Sequence, residues 1–162
     1  MNAVLWASRA MVAIAVRSLS AGTDDVTLPQ YRVLVLLAGG ARKSANVAAS
    51  LGVTASAGSR MCDRLVRKGL IRRWHDHNDR RIVWLALRSA GRQLVAEVTE
   101  RRRTEITAVA ARLPEAQKQA AAVALRAFAA AAGETPDQDW WLGWELSEEK
   151  DGDTTMTGAG RK

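Results

Sequence analysis

Residues 52–87 constrain the fold of this chain more than any other stretch. Thr54 predicts a helix N-cap, because its side-chain oxygen can accept a hydrogen bond from an amide of the first turn. Gly69 predicts the end of the same helix, since glycine readily adopts the conformation found at helix C-termini. Residues 70–74 and 82–87 are rich in strand-forming side chains and flank the polar run HDHNDRR. The stretch therefore predicts one helix followed by a two-stranded hairpin.

The predicted helix has two faces of opposite character. Its apolar face follows the i, i+3, i+4, i+7 spacing and comprises Gly58, Met61, Cys62 and Leu65. Its polar face comprises Ser56, Ser59, Arg60, Asp63 and Arg67. We expect the first face to pack inward and the second to meet solvent or a partner. Cys62 is interpreted as a small buried hydrophobe.

Positive charge is concentrated in the same part of the chain. Residues 60–92 contain ten Arg or Lys and three Asp, a net charge of +7 that equals the charge of the whole chain. A polar helix can enter the major groove of DNA, and arginines at a hairpin tip can reach phosphates or the minor groove. A solvated basic surface with no nucleic-acid partner is the alternative interpretation.

Composition narrows the class of protein. A chain of 162 residues, 48% of them hydrophobic, is expected to form a single globular domain. The isoelectric point of about 10.5 favours an anionic partner, either nucleic acid or an acidic membrane surface. The single cysteine excludes an internal disulfide and a cysteine-only zinc cluster. It also suits a reducing compartment, and we expect the protein to be cytoplasmic.

The N-terminal segment is apolar but is interrupted by Arg9 and Arg17. It lacks a basic n-region, so it is predicted to be a helix rather than a signal peptide. No uninterrupted apolar run approaches the ~18 residues that a membrane span requires. We therefore expect no membrane partner.

Five further helices are predicted, at residues 3–20, 28–38, 44–51, 88–112 and 115–132. Residues 28–38 are apolar nearly all round, which favours a buried helix, although a buried strand remains an alternative. Ser44 is the predicted N-cap of the short helix 44–51, which a turn connects to the Thr54 helix in a helix-turn-helix arrangement. Within 88–112, Glu97–Arg101 and Arg101–Glu105 are predicted ion pairs at i,i+4 spacing.

Residues 137–162 differ in composition from the rest of the chain. They hold seven Asp or Glu against three Lys or Arg, and three of the six tryptophans lie in the run DWWLGWE. We interpret residues 1–136 as the folded domain and 137–162 as an acidic, flexible tail. A docking segment for a partner is the alternative interpretation of the tail.

Three stretches of the chain carry a family resemblance: LPQYRVLVLLA, SANVAASLGVTASAGSRMCDRLVRKGLIRR and the triplet Asp79-Arg80-Arg81 before IVWLAL. Together with the order of the elements, they resemble the MarR family of winged-helix transcription regulators. The resemblance covers about residues 3–132. It implies a mainly α fold with a small β-hairpin, built as a winged helix-turn-helix core. It also implies a homodimer, with helices 1–20 and 88–132 interlocking at the interface.

The resemblance implies a role for individual residues as well. The Thr54 helix would enter the major groove, Arg81 would enter the minor groove held by Asp79, and the hairpin would be the wing. The implied DNA-binding residues are Ser44, Thr54, Ser56, Ser59, Arg60, Asp79, Arg80 and Arg81. Gly58 stands where the family usually has an apolar residue, which predicts a loosely packed recognition helix, since Gly is less favourable than Ala by ~1 kcal/mol.

The function expected on these grounds is sequence-specific binding of a pseudo-palindromic operator in double-stranded DNA, most often as a repressor. Release by a small aromatic or anionic effector is common in the family. The rival hypothesis is a winged-helix module that binds an acidic protein through its basic face.

An enzyme is not expected, because no phosphate-cradling loop or nucleophile–base constellation is present. The run from His75 to Asp79 resembles a weak metal cluster, but solvated wing residues are the favoured interpretation. No cofactor or metal is predicted.

Overall fold

The structure is a computed structural model that describes residues 2–22, 25–134 and 136. In chain order the described helices and strands are α1 (Asn2–Ser20), α2 (Leu28–Ala38), β1 (Arg42–Lys43), α3 (Ser44–Ser50), α4 (Ala55–Arg67), β2 (Ile71–His75), β3 (Val83–Leu87), α5 (Ser89–Ala110) and α6 (Glu115–Ala131). This order confirms the predicted mainly α fold with a small hairpin. The predicted acidic tail, 137–162, lies outside the described residues.

The helices and strands form two compact units. The first, called here the central unit, comprises residues 29–92 and contains the helix-turn-helix and the sheet. The second, called here the terminal unit, comprises residues 1–28 and 93–135 and contains α1, most of α5, and α6.

The helix α2 is buried along most of its length. Val33 and Leu34 are fully buried and Leu37 is 1% exposed. Pro29 lies in the first turn, where its missing N–H removes no helical hydrogen bond. The buried helix predicted for residues 28–38 is confirmed, and the alternative of a buried strand is wrong.

The helices α3 and α4 pack against each other and come close together at Gly58. A Cβ atom built on Gly58 would lie 2.8 Å from the Cβ atom of Ala48, well inside ordinary van der Waals contact. Cys62 and Leu65 complete the buried face, whereas Met61 is only half-buried. The expectation that Gly58 loosens the recognition helix is therefore wrong, because the missing side chain is what lets the two helices touch.

The C-terminus of α4 is capped by hydrogen bonds that the amides of Gly69 and Leu70 donate to carbonyls of its last turns. Lys68 is the C-cap, and Gly69 follows with φ of 69°, a left-handed conformation that favours glycine. The amide of Gly69 donates to the carbonyl of Val66 at 2.9 Å, and the amide of Leu70 donates to that of Leu65 at 3.0 Å. This pair of bonds is a Schellman motif, so the predicted helix end at Gly69 is confirmed.

The sheet has three antiparallel strands in the order β1-β3-β2. In its register Trp84 lies opposite both Trp74 and Lys43. The strand β1 was not predicted, because two residues carry no detectable periodicity and are defined only by their pairing with β3. Ser44 is the first residue of α3 rather than its N-cap; the cap is Lys43, which makes no side-chain capping bond. The predicted Ser44 cap is therefore wrong.

The terminal unit buries few of its apolar side chains. In α5 Val95 and Val98 are fully buried, but Ile106 and Val109, farther along the same helix, are exposed. The helix α6 has no buried residue. The exposed large hydrophobic residues of this unit are Val4, Leu5, Trp6, Met11, Val12, Val16, Ile106, Val109, Leu113, Val123, Leu125 and Phe128.

Ion pairs form both within and between helices of the terminal unit. Arg101 pairs with Glu97 at 3.4 Å as predicted. Glu105 does not pair with Arg101; instead its carboxylate accepts two hydrogen bonds from the guanidinium of Arg17 in α1, at 2.6 and 3.0 Å. The partner of Glu105 is 88 positions away in the chain, so sequence spacing did not identify it.

By length and composition alone, α1 could cross a membrane, although Arg9 and Arg17 interrupt its apolar sequence. The signal is weak, since core helices of soluble proteins and N-terminal signal sequences share the same properties. Arg17 near the end of α1 is held by its ion pair with Glu105 of α5.

Candidate nucleic-acid interface

The N-terminal turn of α4 carries a small cluster of hydroxyl groups. Thr54 Oγ1 accepts a hydrogen bond from the amide of Ala57 at 3.3 Å, which confirms the predicted cap. The hydroxyls of Thr54 and Ser56 lie 3.2 Å apart. Ser56 is exposed and Ser59 is half-buried, so the hydroxyl groups at the start of the helix are accessible from solvent. Such side chains hydrogen-bond to either base edges or phosphates.

Three arginines follow along the exposed side of α4. Arg60, Arg64 and Arg67 recur at i, i+4 and i+7, and all three are exposed. Within the part of the chain that the structure describes, none of their guanidinium groups forms an ion pair or hydrogen bond. The row therefore carries positive charge that no described residue offsets. Sequence reasoning missed Arg64, although its spacing from Arg60 was the available signal.

The acidic residue of α4 is turned away from this row of arginines. Asp63 Oδ1 accepts a hydrogen bond at 2.5 Å from Arg73 Nη1 in β2. The pair is about half exposed, so its contribution to stability is small. Its main consequence is that Asp63 is neutralised by the sheet and leaves the α4 arginines uncompensated.

The tip of the hairpin is organised by the carboxylate of Asp76. Asp76 Oδ1 accepts hydrogen bonds from the amides of Asn78 at 2.9 Å and Asp79 at 3.3 Å. Asp76 Oδ2 accepts a third from Trp84 Nε1 at 2.8 Å. These donors, the indole of Trp84 first, lower the pKa of Asp76 from its ordinary value. The sequence analysis assigned a role at the tip to Asp79 and considered Asp76 only as a member of a weak metal cluster.

Asp79 holds Arg81 through the backbone. Its Oδ1 atom accepts a hydrogen bond from the amide of Arg81 at 2.9 Å. The guanidinium of Arg81 is exposed and makes no ion pair or hydrogen bond among the residues that the structure describes. Asp79 thus fixes the turn through the backbone of Arg81, while the Arg81 side chain remains available.

Arg80 is the neighbouring arginine of the tip and is also exposed. Its carbonyl oxygen lies 2.8 Å from Nδ1 of His75, which can donate to it across the end of the hairpin. The amide of Asp76 donates to the carbonyl of Ile82 at 2.9 Å, which extends the pairing to the base of the tip. The tip therefore presents two cationic side chains on a hydrogen-bonded turn.

One face of the sheet carries two tryptophans between two cations. The rings of Trp74 and Trp84 are stacked with centroids 6.5 Å apart and an angle of 14° between their planes. Arg72 lies over Trp74 at 4.6 Å and Lys43 lies over Trp84 at 5.6 Å. These contacts stiffen the strands that support the tip. The register of the sheet brings the four residues together, so the sequence alone did not reveal them.

Two other candidates carry no site chemistry in the structure. No group of three or more His, Cys, Asp or Glu within residues 2–22, 25–134 and 136 could hold a metal ion. His75 and Asp76 are instead occupied by the hydrogen bonds of the tip. Burial raises the pKa of the Cys62 thiol, with the charge of Asp63 acting in the same direction, which disfavours the reactive thiolate.

Comparison with known proteins identifies the family. The MarR family profile matches residues 26–83, which include the helix-turn-helix and most of the hairpin. RV1404 from Mycobacterium tuberculosis is 41% identical, with 83% of this chain and 92% of that chain covered and a TM-score of 0.77. The chain belongs to the MarR family of transcription regulators.

Two more distant structures share the fold. A variant of S. aureus MepR bound to an oligodeoxyribonucleotide is 23% identical over 81% of this chain and 97% of that chain, with a TM-score of 0.59. NadR in complex with 4-hydroxyphenylacetate is 23% identical over 79% of this chain and 90% of that chain, with a TM-score of 0.61. No curated protein matches by sequence.

Proposed function

We propose that this chain is a homodimeric transcriptional repressor that binds a pseudo-palindromic operator in double-stranded DNA. In each protomer α4 lies in the major groove, and the hairpin tip extends Arg81 into the minor groove. Two copies of the reading helix then meet half-sites roughly one helical turn, about 10 bp, apart.

The observation that carries this proposal is the uncompensated charge of the central unit. Arg60 and Arg64 on α4 and Arg81 at the tip are exposed, with no ion pair to any described residue. The acidic residue of α4, Asp63, is instead paired with Arg73 of the sheet. Positions left without carboxylates favour phosphates and base edges as partners.

The individual roles follow from the position of each side chain. Ser56, Ser59 and Arg60 read base edges, while Thr54 closes the first turn and Arg80 contacts a phosphate beside the minor groove. Asp79 fixes the turn before Arg81. Ser44, half-buried as the first residue of α3, contacts a phosphate through the free amides of that helix terminus.

The proposed dimer would cover the exposed apolar side chains of the terminal unit. Val123 is 71% exposed, Trp6 is 67% exposed and Phe128 is 62% exposed. Exposed apolar residues at this density mark surfaces that bind another protein. A second copy of the chain is the partner implied by the family, with α1, α5 and α6 forming the interface.

Release by a small aromatic or anionic effector completes the proposal. NadR, a structure with the same fold, was solved with 4-hydroxyphenylacetate, a small aromatic anion. We infer that a ligand of this class lowers the affinity of the repressor for its operator. Cytoplasmic location follows from a function on DNA.

Binding selection from randomised duplex DNA tests the proposal. The full-length chain should enrich a pseudo-palindrome, and a gel-shift with the enriched site should survive excess non-specific competitor. Binding should weaken steeply with salt, because phosphate contacts release counterions. Retention of no duplex, together with binding to an acidic protein, would instead support the rival protein-interaction function.

A further inference from the structure

Asp76 connects the hairpin tip to the rigid part of the sheet. Its carboxylate binds two tip amides through Oδ1, those of Asn78 and Asp79, and the indole of Trp84 through Oδ2. Trp84 lies in β3, paired and stacked with Trp74 of β2. A single side chain therefore joins the exposed turn to a stacked aromatic pair on two strands.

Apart from the bonds of Asp76, the tip is ordered by hydrogen bonds between exposed residues, such as the bond that Asp79 accepts from the amide of Arg81. Asn78, Arg80 and Arg81 are exposed, so no buried side chain anchors the turn. Fixing an exposed turn costs conformational entropy. If the turn is not already ordered in the free protein, this entropy is lost on binding and weakens the affinity. The bonds accepted by Asp76 satisfy amides that would otherwise turn to water, and they fix the backbone on the N-terminal side of Asp79.

We propose that Asp76 is a positioning residue for DNA binding, holding the tip through Trp84 so that Arg81 enters the minor groove from an already ordered turn. The inference rests on the proposed function and goes beyond it, because Asp76 itself contacts no DNA. If only a fraction of molecules had an ordered tip, the apparent affinity would fall by that fraction. The contribution of Arg81 to the affinity for DNA therefore depends on the order that Asp76 gives to the tip.

Two variants remove the connection in different ways. Asp76→Asn replaces one carboxylate oxygen by an NH₂ group. One acceptor oxygen then remains for the three N–H groups that now donate to the two oxygens of Asp76. Trp84→Phe keeps a ring in the stack but removes the indole N–H. Trp74→Phe is the matched control, since it makes the same change in the same stacked pair and Trp74 donates no side-chain hydrogen bond among the described residues.

The test measures the affinity of each full-length variant for the selected operator by fluorescence anisotropy, alongside its thermal midpoint. We expect Asp76→Asn and Trp84→Phe to weaken binding about tenfold, and Trp74→Phe by less than about twofold, since a charge-assisted hydrogen bond is at stake only in the first two. On an Arg81→Ala background, Asp76→Asn should have little further effect, because the ordered tip no longer carries its arginine.

A second readout needs no DNA. Amide hydrogen exchange at Asn78 and Asp79 should quicken in Asp76→Asn and Trp84→Phe but not in Trp74→Phe. If the wild-type chain binds its operator while Asp76→Asn binds equally tightly, this inference is overturned and the proposed function stands. An Asp76→Asn effect that persists undiminished without Arg81 also overturns it. A wild-type chain that binds no duplex overturns the proposed function and this inference together.

Discussion

The central and terminal units differ in what they leave unsatisfied at the surface. The central unit buries Leu34, Leu65 and Leu85 completely and leaves Arg60 and Arg81 unpaired among the described residues. The terminal unit differs in its apolar side chains. Some of its charges are paired, as in Arg17–Glu105, but many of its large apolar side chains are exposed.

The difference indicates two kinds of partner. Unpaired guanidinium groups gain most from an anionic polymer, and exposed apolar side chains gain most from burial against another protein surface. In the proposed function, the central unit reads DNA and the terminal unit assembles the dimer. Four predictions test this separation, and they are ordered here from the largest expected effect to the smallest.

The largest effect is expected from charges placed in the apolar surface of α6. The double variant Val123→Asp with Phe128→Asp should make the protein monomeric and reduce operator binding about 100-fold or more, because a buried unpaired carboxylate costs several kcal/mol. Light scattering coupled to size-exclusion chromatography measures the mass. Gln117→Asp, which puts a new charge at an exposed polar position of the same helix, is the control. A charged variant that remained dimeric would show that α6 is not the interface.

The next effect concerns the tip of the hairpin. Arg81→Ala should weaken operator binding by about 10- to 100-fold, since a minor-groove arginine loses contacts worth about 1–3 kcal/mol. Anisotropy titration measures the change at constant salt. Arg9→Ala removes the same charge from an exposed position of α1 and should change affinity by less than about twofold. Equal losses of affinity in the two variants would mean that Arg81 contributes only its positive charge and makes no specific minor-groove contact.

A third prediction tests the packing beneath the reading face. Gly58→Ala should destabilise the protein by about 1–3 kcal/mol, because overpacking at the α3–α4 contact outweighs the ~1 kcal/mol gain in helix propensity. Adding Ala48→Gly should recover part of that loss, since it removes the Cβ atom that lies 2.8 Å from the added one. Urea unfolding of both single variants and the double variant gives the coupling. Additive effects would mean that the two helices do not touch there.

The smallest effect is expected from the arginines farther along α4. Arg64→Ala and Arg67→Ala should each lower the slope of log affinity against log salt by about 1, with affinity falling only a few-fold, if each contacts one phosphate. Arg60→Ala should in addition change the base preference in a binding selection. An unchanged preference would remove Arg60 from the reading face and assign it to the phosphates as well.

Features with a local physical cause could be predicted from the sequence. The helix α2 was located by its apolar composition and Pro29, and α4 by Thr54 and Gly69, because caps and periodicity act over a few residues. The hairpin was predicted within one or two residues for the same reason. The spacing along α4 also predicted part of the candidate reading face, although it did not include Arg64.

Features that depend on a distant partner could not be predicted. The strand β1 exists only through its pairing with β3, and this pairing makes Lys43, not Ser44, the cap of α3. Asp76 and Trp84 are eight positions apart and meet only in the register of the hairpin. Gly58 was misjudged because its value depends on Ala48 in the adjacent helix.

The buried and outward positions of α4 are different residues, which allows the outward ones to be changed in an engineered protein. Gly58, Cys62 and Leu65 are buried, whereas Ser56 and Arg60 are exposed. New operator preferences can therefore be sought by randomising the outward positions in a library while the scaffold keeps its docking angle. Several regulators that bind different operators, and do not bind each other's operators, could then be built on this backbone.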